Sequence, residues 1–232
     1  MSSVSWINEA QKSLLVTGAG DGVVRVWGGV VEADLDENGK MLPPDLVTGF
    51  HAVPDIGLGP NDAAMVTHWQ QRRGLLSAGG SSRLLRVWDM GSEQLWTDWK
   101  VPEGSAVSAL GTPAEDGHGP LGGWVMAAGT TRGEVLLFDA RERGGQSTVQ
   151  QMKGHDESWV VNVYFTDGGA GNEIVSGCID GWITVQDIRK VADDNTIKYT
   201  TRAQKSAMTC MMMHPRVPVL ATGSYKQFIN VR

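Results

Sequence analysis

The chain has 232 residues and a mass of 25.0 kDa, enough for one large domain or two small ones and for a sizeable core. Apolar residues make up 41% and charged residues 20%, which excludes the charge-rich composition of disordered chains, and 30 glycines with nine prolines favour many short strands over a few long helices. The net charge is −6 and no basic run exceeds the pair Arg72-Arg73 in length, so a phosphate-tracking surface is not expected, and no apolar stretch reaches the roughly 18 residues of a spanning helix.

In chain order, one pattern recurs. Two or three apolar residues, a small-residue step, a polar turn and an alternating strand form SLLVTGAGDGVVRVWG (13–28), GLLSAGGSSRLLRVWDM (74–90) and GWVMAAGTTRGEVLLFDA (123–140), then EIVSGCIDGWITVQDI (173–188) and PVLATGSYKQFINVR (218–232). The closing positions Trp27, Trp88, Phe138, Gln186 and Arg232 follow one another at intervals of 61, 50, 48 and 46 residues, against about 40–45 for a four-stranded propeller blade. A strand-like run precedes each unit: Val4–Ile7, Ala63–His68, Ala106–Leu110, Trp159–Phe165 and Ala207–Met213. Weaker runs follow four of them: Leu46–Phe50, Leu95–Trp99, Thr148–Met152 and Ile197–Thr201. Each repeat therefore has strands a, b, c and d.

Alternation is plain in Val24-Arg25-Val26-Trp27, whose apolar residues share a face. No ten-residue run shows the i, i+3, i+4, i+7 pattern of a helix. Gly20-Asp21-Gly22 and Asp180-Gly181 supply the left-handed backbone of tight b–c turns. The expected fold is an all-β propeller with about five four-stranded blades, over 1–50, 63–99, 106–152, 159–201 and 207–232, with an acidic inter-strand loop at 28–45.

Trp88-Asp89, with Phe138-Asp139 and Gln186-Asp187 in the same place, resembles the closing dipeptide of WD-repeat (WD40) propellers. Gly154-His155, followed by Ser176 and Asp180, resembles the rest of that signature. The resemblance implies a buried hydrogen-bonded network of His155, Ser176 and Asp180, with Gln186 in place of its tryptophan. Longer strings carry a narrower likeness: VTGAGDGVVRVW, LVTGFHAVPDI, MVTHWQQRRGLLSAGGSSRLLRVWD, HDESWVVNVYF and MTCMMMHPRVPVLATGSYKQFINV, in this order. They resemble the C-terminal propeller of the Raptor family, the regulatory-associated scaffolds of TOR kinase complex 1. That propeller resembles a seven-bladed ring. Five repeats, opening on a strand a and stopping inside a strand c, then imply a partial ring with missing blades in a parent chain.

The residues point to adhesion and away from catalysis. His155 has the context of a structural donor; a Ser-His-Asp hydrolase needs an exposed nucleophile and oxyanion donors, and no GxSxG elbow occurs. His51, His68, His118 and His214 lack metal-ligand spacing. Gly18, Gly20 and Gly22 precede a strand where a phosphate loop requires a helix. The run Glu32-Ala33-Asp34-Leu35-Asp36-Glu37 reads as a solvated loop without calcium-ligand spacing. Met208, Met211, Met212 and Met213 read as core filling. Trp96 and Trp99, at an odd offset, cannot share a face of a regular strand, so one of them is a candidate exposed contact, and Trp159 is another. Neither catalytic residue, metal nor cofactor is expected.

Two cysteines without a CxxC, Cys178 and Cys210, fit a reducing compartment, and MSSVSWINEAQK lacks the features of a secretory signal. The Raptor resemblance implies a non-catalytic protein-interaction module in nutrient-responsive TOR growth signalling. It also implies TOR complex components as partners and a cytoplasmic location, with peripheral recruitment to lysosomal or vacuolar membranes. The alternatives are an unrelated WD-repeat adaptor of a ubiquitin ligase or trafficking assembly and, more remotely, a propeller enzyme.

Overall fold

The computed structural model describes residues 2–8, 13–30, 37–54, 56, 64–113, 123–142, 150–166, 172–190, 196–214, 217 and 219–231. Within them the regular structure is entirely β, in five consecutive antiparallel sheets. Blade 1 holds β1 (Ser3–Ile7), β2 (Leu14–Gly18), β3 (Val23–Gly28) and β4 (Asp45–His51). Blade 2 holds β5 (Val66–Gln70), β6 (Leu75–Gly79), β7 (Leu84–Asp89) and β8 (Gln94–Lys100). Blade 3 holds β9 (Val107–Gly111), β10 (Val125–Thr130), β11 (Glu134–Asp139) and β12 (Gln150–Lys153). Blade 4 holds β13 (Val160–Phe165), β14 (Glu173–Cys178), β15 (Trp182–Asp187) and β16 (Ile197–Arg202). Blade 5 has three strands among the described residues: β17 (Met208–Met213), β18 (Leu220–Ser224) and β19 (Ile229–Val231).

Each sheet runs a-b-c-d in sequence order, and strand a of each blade lies against strand a of the next. Four apolar clusters fill the four gaps between blades. Val16, Val24 and Val26 meet Met65 and Leu76 between blades 1 and 2. Leu85, Val87 and Trp99 meet Met126, Leu136 and Phe138 between blades 2 and 3. Val135, Leu137 and Met152 meet Val163 and Ile174 between blades 3 and 4, and Val175, Ile183 and Val185 meet Met208 and Met211 between blades 4 and 5. Strands sandwiched this way are apolar on both faces, which explains why β6 and β10 are buried throughout and β14 everywhere but at Glu173.

The innermost strands are also tied by side chains. Ser3 Oγ meets Thr67 Oγ1 at 3.0 Å, His68 Nε2 meets Thr112 Oγ1 at 2.9 Å, and Ser108 Oγ donates to Val160 O at 2.7 Å. Between blades 4 and 5, Met211 N donates to Asn162 Oδ1 at 3.0 Å and the Tyr164 hydroxyl donates to Met211 O at 2.8 Å. One hydrogen-bonded girdle thus runs from blade to blade along the inner edge.

Among the described residues no comparable packing joins β17 to β1, so the blades form an open arc. Its two end faces are apolar. Trp6, Leu15, Trp27 and Leu46 stand opposite one another across all four strands of blade 1, with side chains on one face, and Trp6 and Leu46 are 41% and 54% exposed. On blade 5, Met212, Ala221 and Val231 form the matching row, with Met212 71% exposed.

Bulges recur at fixed places and overturn one expectation. Between β7 and β8 the register passes from Val87↔Thr97 to Trp88↔Leu95, leaving Trp96 as the extra residue. The odd offset therefore does not separate the two tryptophans: Trp96 packs against the same blade 2–blade 3 cluster that holds Trp99. A bulge between Met208 and Cys210 likewise lets Met208 and Met211 point together into blade 4 while Met212 faces out.

Candidate interaction surface

At one end of the arc the b–c turns meet the d–a crossovers through a repeated backbone device. The Gly22 carbonyl accepts from Ala52 N (2.9 Å) and Val53 N (3.3 Å), Gly133 O from Gly154 N (3.2 Å) and His155 N (3.0 Å), and Gly181 O from Ala203 N (2.8 Å) and Gln204 N (3.1 Å). The pairing requires a left-handed glycine: φ is +78° at Gly133, and a Cβ there would lie 2.2 Å from His155 O. Gly133→Ala should therefore cost about 2–3 kcal/mol of stability, readable as a lower urea midpoint. A midpoint equal to wild type would refute the clamp.

The second residue of each clamp stands at the strand-b position of the next blade. His155 Nε2 lies 2.9 Å from Ser176 Oγ, and burial pushes the imidazole down to about 4, so it is neutral at physiological pH. Asp180 is exposed, and its carboxylate makes no hydrogen bond among the described residues; only its charge acts on His155. In blade 5 the same place is taken by Gln204, whose Nε2 donates to Thr222 Oγ1 at 2.9 Å. Sequence reading missed Gln204 because the Gly-His signature was the signal sought; its spacing to a strand-b hydroxyl could have found it. In blade 2 the corresponding pair is Val53 and Ala78, both buried, an apolar replacement of both partners at once, which is the cheap way to lose such a bond.

These environments separate two serines. Ser77 Oγ is buried with no partner among the described residues, so Ser77→Ala should be neutral or stabilising by up to about 1 kcal/mol. Ser176→Ala strips His155 of its partner and should cost about 1–2 kcal/mol. Thermal melts of the two variants in parallel check this; equal losses would refute it.

The blade-closing residues fall into two jobs. Asp89, Asp139 and Asp187 each accept the backbone N–H two residues on, from Gly91, Arg141 and Arg189, at 2.9–3.0 Å, an Asx turn that starts the c–d hairpin. The Arg189 side chain, bonded to Asp187, holds that carboxyl far below the usual range. The residue before each aspartate faces the preceding blade. Trp88 Nε1 donates to Ala52 O at 3.1 Å, with its ring 4.9 Å from Phe50; Phe138 lies 5.0 Å from Trp99; Gln186 Nε2 donates to Lys153 O at 3.1 Å and Thr196 Oγ1 at 3.2 Å. Trp27 Nε1 donates to Thr17 Oγ1 at 3.0 Å within its own blade.

Of the candidate contacts, Trp99 is fully buried and so is not the exposed member of its pair. Trp96 donates Nε1 to Ala140 O at 2.8 Å and stacks on Trp124, which is capped by Arg73 at 3.6 Å; it fastens blade 2 to blade 3. Trp159 is half-buried at the start of blade 4, its carbonyl accepting from Ile179 N. A more exposed tryptophan, Trp182, stands after the Gly181 turn with Arg202 5.8 Å from its ring. Residues 31–36 of the acidic loop and His118 lie outside the described residues.

No family model matches the chain. Individual relatives do. Regulatory-associated protein of TOR 1 from Arabidopsis thaliana is 31% identical over 100% of this chain and 16% of its own length. The Target of rapamycin complex 1 subunit KOG1 of Saccharomyces cerevisiae is 29% identical over 94% of this chain and 14% of its own. The crystal structure of Chaetomium thermophilum Raptor superposes with a TM-score of 0.78 at 25% identity, over 98% of this chain and 19% of that one. Its homologues are Raptor proteins. The chain spans about one-sixth of the length of the Raptor relatives it matches.

Proposed function

We propose that the chain is a non-catalytic interaction module of a Raptor-type scaffold acting with TOR kinase complex 1 components in nutrient-responsive growth signalling. The observation that carries this reading is the end-to-end alignment with proteins named as regulatory-associated proteins or subunits of that complex. The architecture suits it, because a rigid stack of sheets presents loops for recognition. The reading places the module in the cytoplasm, with recruitment to lysosomal or vacuolar membranes through its partners. It also assigns the end faces. In blade 2 the residue equivalent to Trp27 is covered by Phe50 of the preceding blade, so the row Trp6, Leu15, Trp27 and Leu46 is a seat for another propeller sheet of a parent chain. Purification of the protein tagged at its own locus, followed by mass spectrometry, tests the function: TOR kinase is expected among the co-purifying proteins, and its absence from a saturating data set overturns the reading.

A further inference from the structure

Between blades 3 and 4, at the clamp end, lies a cleft of about 420 Å³, within the size range of ligand sites. The β10–β11 turn contributes Arg132, the top of β11 Glu134, the end of β12 Lys153, the crossover to blade 4 Gly154 through Glu157, and β16 Ile197. One wall is fixed in advance. The Gly133 carbonyl holds two successive amides, Thr184 Oγ1 donates to Gly154 O at 3.0 Å, Gln186 Nε2 donates to Lys153 O, and His155 is pinned to Ser176.

What this wall displays is not consumed by the fold. The side chains of Arg132, Lys153, Asp156 and Glu157 form no ion pair or hydrogen bond among the described residues. Two buried oxygens behind the wall, Gln186 Oε1 and Ser158 Oγ, have no partner among the described residues, and a Cβ on Gly154 would lie 3.0 Å from the first. Orphaned buried polar oxygens are uncommon in native interiors, and these two lie in or against this crossover. Glu157 is held there at φ +45°, a backbone that a non-glycine residue adopts at a cost.

We propose that this cleft binds a short extended peptide in which a basic side chain stands two residues from an acidic one, the first set against Asp156 and Glu157 and the second against Arg132 and Lys153. In an extended strand such residues project from one face, about 7 Å apart. Glu134 adds a third carboxylate to the cleft and His155 is uncharged, so the basic residue is the stronger requirement. Exposed charges of this kind bring selectivity more than affinity. The proposal rests on the reading of the chain as an interaction module.

The test titrates the isotope-labelled 232-residue chain with acetyl-Gly-Arg-Gly-Asp-Gly-amide and follows backbone amides by NMR. Shifts centred on 154–158 and 132–134 are expected, with a dissociation constant of about 1 mM, weakened about fivefold by high salt. The exposed double substitution D156N/E157Q should abolish them and leave the remaining spectrum unchanged. Absence of shifts at 154–158, equal shifts with the pentaglycine analogue, or binding unaltered by D156N/E157Q would each overturn the proposal. TOR kinase co-purification is scored separately: if it persists while wild-type protein ignores the peptide, the cleft assignment alone fails, and if wild-type protein binds peptide without TOR kinase, the scaffold reading alone fails.

Discussion

Replacing Trp99 by alanine should be among the most damaging single changes, lowering stability by about 3–5 kcal/mol, whereas replacing it by phenylalanine should cost no more than about 1 kcal/mol. The indole is fully buried between blades 2 and 3, against Phe138, so truncation to a methyl group leaves a cavity in a packed sheet-to-sheet interface. Its Nε1 is buried with no acceptor among the described residues. Phenylalanine keeps most of the ring contact and removes an unpaired donor, and these effects oppose each other. Chemical denaturation of both variants decides the matter. Comparable losses would mean that the indole N–H is satisfied after all and that the gain assigned to its removal does not exist.

The second large effect is on acid stability. Burial pushes both His68 and His155 down to about 4 from an ordinary value of 6.5. Below pH 6.5 the unfolded chain takes up these two protons while the folded chain refuses them until about pH 4, so stability falls across that window. At 1.36 kcal/mol per pH unit the loss approaches about 3 kcal/mol per histidine at the acid end. Asp187 and Asp139, held low by their arginine partners, remain ionised there and begin to cost stability only below the usual carboxylate range. The urea midpoint should therefore drop steeply between pH 7 and pH 4.5, and a His68→Gln, His155→Gln protein should show a much flatter profile. Identical profiles would show that neither imidazole is excluded from protonation. A structural consequence accompanies the thermodynamic one, because His68 is a member of the inner-edge girdle and His155 of a crossover clamp.

Much of the architecture is written in local pattern. Alternation in Val24–Trp27, glycine at the b–c turns and the recurrence of Trp88-Asp89 and its relatives report backbone geometry directly, since left-handed turns and Asx hairpins admit few residue types. What local pattern does not carry is register. The odd spacing Trp96/Trp99 reads as opposite faces, and a bulge brings both side chains into the same interface; a bulge does the same for Met208 and Met211. Bulges arise from the match between two strands, and neither strand encodes them alone. The site residues divide on the same ground. His155, Ser176 and Gln186 are legible because a known signature names their places; Gln204 and the Val53–Ala78 replacement fill the places of His155 and Ser176 with other chemistry, which the signature itself does not name. The charged cleft depends on which side chains adjacent blades bring together, a property of the stack that no single repeat contains.

Because the stack is open, its cohesion is unevenly shared. Among the described residues blades 2, 3 and 4 are gripped from two sides, whereas blades 1 and 5 lean on one neighbour each, and the blade 5 sheet has three strands. In such a one-dimensional array, opening a terminal unit breaks one interface and opening an inner unit breaks two. Amide protons should therefore exchange with solvent along a gradient, fastest in blade 5 and slowest in β10 and β14. Anything that docks on an end face would flatten this gradient from that side, reporting by its kinetics where it sits.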